Sequence, residues 1–192
     1  MKLNSWKISL HAEMPQKIAT AMAELGDRML GTEYRAISYL GSQEVNGTNH
    51  AVLAEQTVLT GRDTRNVVIL IFNEKPNEMT ATLVGIERVV EGGMPLGGTN
   101  IEILTDLPEA VRNVWAAAFD GFVGSEVTPI ALLATRPANG YLYIFAAIVT
   151  PIAPNAEQYA AIVIIDPRNE RISMKSLLNT RAEGAFGYSF TW

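Results

Sequence analysis

The sequence predicts an α+β fold of two tandem units, each with one long helix packed on a curved four- to five-stranded antiparallel sheet. Three observations predict it: a 93-residue repeat, one apolar helical stripe in each repeat, and strand-length segments with short turns after each stripe. The predicted units are residues 1–91 and 99–192. Four glycines and a proline between them predict a linker at 92–98.

The repeat needs no gap over residues 15–81 of the first copy. A constant offset through a predicted helix, a hairpin and a strand indicates two copies of one unit. Aligned pairs include Pro15 with Pro108, Gly31 with Gly124, and Asn46-Gly47 with Asn139-Gly140.

One helix is predicted in each unit from apolar residues at helical spacing. A proline at the start of each stripe suits the first helical turn, where a missing N–H costs nothing. A glycine after each stripe suits the helix exit. The stripes are Met14, Ile18, Ala21, Met22, Leu25 and Met29 in the first unit, and Leu107, Val111, Val114, Trp115, Ala118 and Phe122 in the second.

Strands are predicted before and after each helix. An antiparallel sheet follows from the order strand, helix and four strands with short turns. We expect one helix of about four turns to cover its apolar face. The tail from Thr180 to Trp192 has aromatic residues at alternate positions, which predicts one more strand. The predicted strands are 5–12, 34–42, 48–59, 66–73 and 79–90, then 100–105, 128–135, 141–151, 158–166 and 171–178.

The candidate partner-binding residues lie at the first hairpin after the first helix. Asn46-Gly47 is a strong hairpin signal, because both residues tolerate positive φ. Residues 43–47 fit the pattern Gln-x-Val-x-Gly, which resembles the first-hairpin signature of cystatins, the inhibitors of papain-like cysteine proteases. The stretch Tyr39–Asn49 is also similar to stretches in bacterial cystatin-like proteins. The candidates are Gln43, Glu44, Val45, Asn46 and Gly47.

The resemblance implies a cystatin fold over nearly the whole chain and a hairpin that enters a protease cleft. Two other contact elements of cystatins do not match: Lys75-Pro76-Asn77 has no tryptophan, and the first ten residues have no glycine. In the second unit, Arg136–Gly140 keeps only the Asn-Gly pair. The alternative interpretation is that Asn46-Gly47 is only a turn.

Composition and spacing argue against several other functions. A net charge of −5 argues against nucleic acid or an anionic membrane surface as a partner. The chain has no cysteine, which excludes a disulfide framework and a thiolate site. Its two histidines, His11 and His50, have no partners at metal spacing, and there is no Gly-x-Ser-x-Gly elbow. We therefore predict no metal, no cofactor, no catalytic residue and no enzymatic activity.

The predicted function is a non-enzymatic protein-binding module, in its sharpest form a cysteine protease inhibitor-like protein acting through the Gln43–Gly47 hairpin. Two alternatives stay open: a small-ligand-binding protein with a pocket, and a structural protein whose sheet edges assemble it as a homo-oligomer. The N-terminus shows no signal peptide, and no segment is apolar enough to span a membrane. We expect a cytoplasmic protein, or a secreted one if the native chain begins earlier.

Overall fold

The computed structural model describes residues 5–8, 10, 12–59, 64–93, 98–138 and 140–178. The chain divides into two compact units, with the boundary between Glu91 and Gly92. The predicted strand over Thr180–Trp192 lies outside the described residues, as do positions 94–97 of the predicted linker.

The first unit is a five-stranded antiparallel sheet with one helix on one face. Its strand order follows the chain, so that each strand pairs with its neighbours in sequence. The helix buries Ile18, Ala21, Met22 and Leu25, which pack with sheet residues such as Val52 and Phe72. The elements are β1 (Trp6–Ile8), α1 (Gln16–Arg28), β2 (Thr32–Val45), β3 (Gly47–Val58), β4 (Thr64–Glu74) and β5 (Thr82–Glu91).

The second unit has the same order of elements in its own five-stranded antiparallel sheet. Its helix buries one residue, Trp115, whose ring centroid lies 4.9 Å from that of Phe145 and 4.6 Å from that of Phe119. The elements are β6 (Asn100–Leu104), α2 (Glu109–Ala118), β7 (Ser125–Pro137), β8 (Tyr141–Pro151), β9 (Tyr159–Asp166) and β10 (Arg171–Ser176).

The 93-residue offset also relates the strand pairings of the two units. The β2–β3 pair has register shifts between Ala36 and Ser38 and between Tyr39 and Gly41, and the β7–β8 pair has shifts at the positions 93 residues later. The offset ends at the last hairpin, because residues 75–81 join β4 to β5 whereas only residues 167–170 join β9 to β10. The units therefore share the registers of their central strands and differ at the final turn.

The predicted fold class, α+β with a long helix on the sheet of each unit, is wrong. Strands make up 56% of the structure and helices 14%. Helix α1 has 13 residues and α2 has 10, so neither is the long helix that the cystatin resemblance implies. The described residues are predominantly antiparallel sheet, with two five-stranded sheets and two short helices.

Burial in the central strands gives the physical reason for this error. Side chains alternate between the two faces of a strand, yet every residue of 67–72 in β4 and of 160–163 in β9 is buried. Both faces of these strands are therefore excluded from water. The prediction assumed one apolar face that needs one long helix, and that assumption does not hold for continuous apolar strands.

Helix α2 also ends earlier than predicted. The apolar stripe continues to Phe122, but the helix stops at Ala118, and Gly121 follows with a φ of 69°. Phe122 therefore lies outside the helix and is 38% exposed. The helix is capped at Phe119, so it ends well before the predicted exit at Gly124.

Candidate functional site

The β2–β3 hairpin places the five candidate residues at the end of the longest strand pair of the first unit. Strand β2 continues through Val45 and β3 begins at Gly47, so only Asn46 lies between the strands. The prediction of a turn over Gln43–Gly47 is therefore too long. Among the described residues, the non-glycine positions with positive φ are Asn155 and Glu170, so Asn46 does not use the conformation that its side chain tolerates.

Gly47 has a structural reason to be glycine. Its φ is 96°, and a Cβ on it would lie 2.5 Å from the carbonyl oxygen of Glu74 on the neighbouring strand β4. A side chain at this position would therefore collide with backbone of the same chain. The close approach that Gly47 permits is to β4, within the sheet.

Gln43 is buried, with 6% of its surface exposed. Its side-chain carbonyl accepts a hydrogen bond from the Asn49 amide at 3.5 Å, and the Asn49 carbonyl accepts one from the Asn73 amide at 2.9 Å. These three amides cross β2, β3 and β4 in register. The glutamine of the Gln-x-Val-x-Gly pattern thus holds the hairpin base, and its part in partner binding stays a prediction.

The accessible part of the hairpin is Glu44, Val45 and Asn46. Val45, the large apolar side chain at the hairpin end, is 38% exposed. The Glu44 carboxylate lies 3.7 Å from the Lys7 ammonium of β1, with both side chains more than half exposed. The structure therefore separates the five candidates into three accessible residues and two that hold the turn.

Beneath the hairpin, a chain of polar contacts connects three strands to helix α1. The Tyr39 hydroxyl lies 2.9 Å from Nδ1 of His50, and Nε2 of His50 lies 3.4 Å from the Glu74 carboxylate. The same carboxylate contacts the Lys17 ammonium at 2.9 Å. His50 is 6% exposed, and its Nε2 makes no hydrogen bond of good geometry.

The surroundings of these polar contacts shift the pKa values of three of the groups that make them. Burial lowers the pKa of His50, and the nearby Glu74 carboxylate opposes this only in part. Burial also raises the pKa of the Tyr39 hydroxyl. The hydrogen bond from Lys17 lowers the pKa of Glu74. At neutral pH the hydroxyl is therefore protonated, the imidazole neutral and the carboxylate ionised.

These shifts leave a protonated Tyr39 hydroxyl beside a neutral His50 imidazole. An activated nucleophile needs a lowered pKa or an adjacent strong base, whereas the pKa of Tyr39 is raised and that of its neighbour His50 is lowered. The chemical role that fits is a polar clamp that ties β2, β3, β4 and α1 together behind the hairpin. No short motif predicts these contacts, because Tyr39 and His50 lie on different strands, with Tyr39 paired to Val52 and His50 to Ser42.

Within the described ranges, histidine, aspartate and glutamate side chains nowhere gather in groups of three that could hold a metal ion. His11 lies outside those ranges. Neither helix there has the length and apolar character that a membrane crossing requires. Comparison of the chain with protein-family models, characterised proteins and solved structures found no match.

Proposed function

We propose that the chain is a non-enzymatic protein-binding module whose contact surface is the accessible end of the β2–β3 hairpin, Glu44–Asn46. The observation that carries the proposal is Val45, an apolar side chain 38% exposed at the hairpin end. The hairpin that carries Val45 is held in place by the hydrogen bond of the buried Gln43 amide with Asn49 and by the close approach of Gly47 to the backbone of Glu74. A rigid apolar projection binds at a low entropic cost, because little of it must be ordered on binding.

The proposed partner is a protein with a cleft wide enough for a two-stranded hairpin. The Gln-x-Val-x-Gly pattern makes a papain-like cysteine protease the first partner to test. Since Gln43 is buried, the contact would use the Glu44 and Val45 side chains and the backbone around Asn46. This differs from a mode in which the glutamine side chain itself touches the partner.

The experiment is a titration of a papain-like protease with the full chain, followed by inhibition and by direct binding. We expect Val45→Asp to weaken binding at least about tenfold, because a buried interface anchor becomes a charge. Leu59→Asp is the matched control, since Leu59 is 44% exposed beyond the opposite end of β3. The control should bind like the wild type.

The absence of both inhibition and binding at about 10 μM chain would remove the protease as partner. Equal losses in the two variants would remove the hairpin as the contact surface. A circular dichroism spectrum of each variant separates lost binding from lost folding.

A further inference from the structure

The buried imidazole of His50 faces a different kind of group on each side of the ring. Nδ1 lies 2.9 Å from the Tyr39 hydroxyl, and Nε2 lies 3.4 Å from the Glu74 carboxylate. A proton on Nε2 faces the negative charge of Glu74, whereas a lone pair there would face the lone pairs of a carboxylate. The neutral ring therefore carries its proton on Nε2, and Nδ1 accepts a hydrogen bond from Tyr39.

A second proton can bind the ring at one atom only. Because Nε2 is already protonated, the proton must bind Nδ1, which then becomes a donor directed at the Tyr39 oxygen. Two donors cannot share this contact, so the Tyr39 hydroxyl has to turn its own proton away and accept. The Ser42 hydroxyl also bonds Tyr39. Protonation of His50 therefore rearranges two side chains of β2.

The charged groups around the ring come from three elements. Glu74 faces it from β4 and Glu44 from β2. Each carboxylate already has an ammonium partner, Lys17 of α1 at 2.9 Å from Glu74 and Lys7 of β1 at 3.7 Å from Glu44. The His50 side chain is 6% exposed, so little water can solvate a charged ring, and burial lowers its pKa despite Glu74. The folded first unit thus disfavours the protonated ring.

His50 lies directly behind the base of the β2–β3 hairpin. It pairs with Ser42 across the two strands, and the next pair toward the turn is Gln43 with Asn49. The side-chain amides of that pair form the hydrogen bond that holds the hairpin base. A rearrangement of Tyr39 and Ser42 therefore reaches Gln43 through the adjacent peptide.

We propose that Tyr39 and His50 form a pH switch, in which protonation of His50 reverses the hydrogen bond from Tyr39 and loosens the β2–β3 hairpin. The bond holds at neutral pH and is reversed at acid pH. The consequence for a partner rests on the proposed function, because the loosened hairpin carries the contact residues Glu44–Asn46. Binding through the hairpin should then weaken as the pH falls.

The second unit has the equivalent hairpin without this pair. By the 93-residue offset, Leu132 stands at the position of Tyr39 and Tyr143 at that of His50. An aliphatic and a phenolic side chain thus replace the phenol and the imidazole. The β7–β8 hairpin is therefore an internal reference for every measurement on the chain.

The test is a titration of the free full chain from pH 7.5 to 5, followed by two-dimensional NMR and by amide hydrogen exchange corrected for its intrinsic pH dependence. We expect the amides of residues 42–50 to shift with the same midpoint as the His50 ring, below pH 6.5. Their opening should increase about three- to tenfold relative to the β7–β8 hairpin, because one hydrogen bond changes an equilibrium by about that factor.

Two variants test the assignment of the groups. His50→Gln should remove the acid-dependent shifts of residues 42–50, because it removes the titrating ring. Tyr39→Phe should raise the midpoint of His50, because Nδ1 then takes a proton without displacing a donor. Tyr34→Phe is the matched control, since it removes another hydroxyl of β2, one that bonds Gln56. The control should titrate like the wild type.

Three results would overturn the proposal: shifts of residues 42–50 that persist in His50→Gln, a response of equal size in the β7–β8 hairpin, or a Tyr39→Phe chain in which His50 titrates as in the wild type. The comparison of the two hairpins needs only the wild-type chain, so it stands even if a variant does not fold. Because no partner is present in the titration, failure here is distinct from failure of protein binding.

Discussion

The two units use the same order of elements but hold their helices in different ways. Helix α1 packs nearest β2, buries four residues and is tied to the end of β4 by Lys17 and Glu74. Helix α2 packs nearest β9 and buries Trp115 alone. Equivalent positions that are charged in the first unit, such as Lys17 and Glu74, are Ala110 and Pro167 in the second.

The difference shows two solutions to attaching a short helix to a sheet. Isolated helices of 10–13 residues are marginal in water, so their stability comes from the packed face. The first unit distributes this packing over several residues and adds charged contacts. The second fully buries one residue, an indole in tilted contact with Phe119 and edge-on contact with Phe145, while the other apolar residues of α2 are only partly buried. The second attachment should therefore be the more sensitive to a single substitution.

The largest expected effect is that of Trp115→Ala. It removes the one buried residue of α2 and should lower the free energy of unfolding by about 3–5 kcal/mol. Met22→Ala changes the equivalent residue of α1 and should cost about 2 kcal/mol, because Ile18, Ala21 and Leu25 remain buried. Chemical denaturation measures both changes.

Amide hydrogen exchange shows which helix loses stability in each variant. In Trp115→Ala the amides of α2 should lose protection while those of α1 keep it. If Met22→Ala costs as much as Trp115→Ala, or if α2 stays protected without its indole, the contrast between the two attachments is wrong.

The second contrast concerns a buried carboxylate. Glu55 of β3 is 5% exposed, and it accepts hydrogen bonds from Arg35, at 2.6 and 3.0 Å, and from Arg65. Burial alone would raise the pKa of Glu55, but the bonds from Arg65 and Arg35 outweigh it and hold the pKa below its ordinary value. At the equivalent positions the second unit has Thr128 for Arg35, Ile148 for Glu55 and Gln158 for Arg65.

We expect Arg35→Ala with Arg65→Ala to cost about 3 kcal/mol of unfolding free energy, because it leaves a buried carboxylate without its partners. Exchanging all three residues for those of the second unit (Arg35→Thr, Glu55→Ile, Arg65→Gln) should stay within about 1 kcal/mol of the wild type. Thermal or chemical unfolding of both variants measures the difference. A triple exchange as costly as the double truncation would mean that the ion cluster stabilises the first unit outright.

Local patterns in the sequence predicted the structure better than long-range ones. The four residues that α1 buries all belong to the stripe predicted from helical spacing, and the hairpin signal at Asn46-Gly47 lies at a real chain reversal. Both depend on residues close in sequence. The fold class was wrong, because periodicity does not show whether a continuous apolar strand such as 67–72 has one buried face or two.

The candidate site shows the same limit. The pattern Gln-x-Val-x-Gly singled out five residues, but the burial of Gln43 depends on Asn49 and Asn73, which reach it only through the register of three strands. The polar contacts of His50 come from Tyr39 on β2 and Glu74 on β4, two residues that are distant from it in sequence. Each arises from tertiary geometry that no short motif encodes.

The smallest expected effect is that of pH on the free energy of unfolding through His50. The second unit has Tyr143 at the position of His50. Because burial lowers the pKa of His50 from 6.5, the unfolded chain binds a proton before the folded one does. The contribution of His50 is therefore present above pH 6.5 and is lost as the pH falls through that value toward the lower pKa of the folded state.

The measurement is the free energy of unfolding between pH 7.5 and 5, a window above the ordinary pKa of 4.5 of Glu55 and Glu74. The wild type should lose stability as the pH falls through this window, and His50→Gln should flatten the curve. His11→Gln is the control for the other histidine. A wild-type curve that rises toward acid pH would mean that protonated His50 gains more from Glu74 than burial costs it, and the first unit would then hold its hairpin by a titratable ion pair.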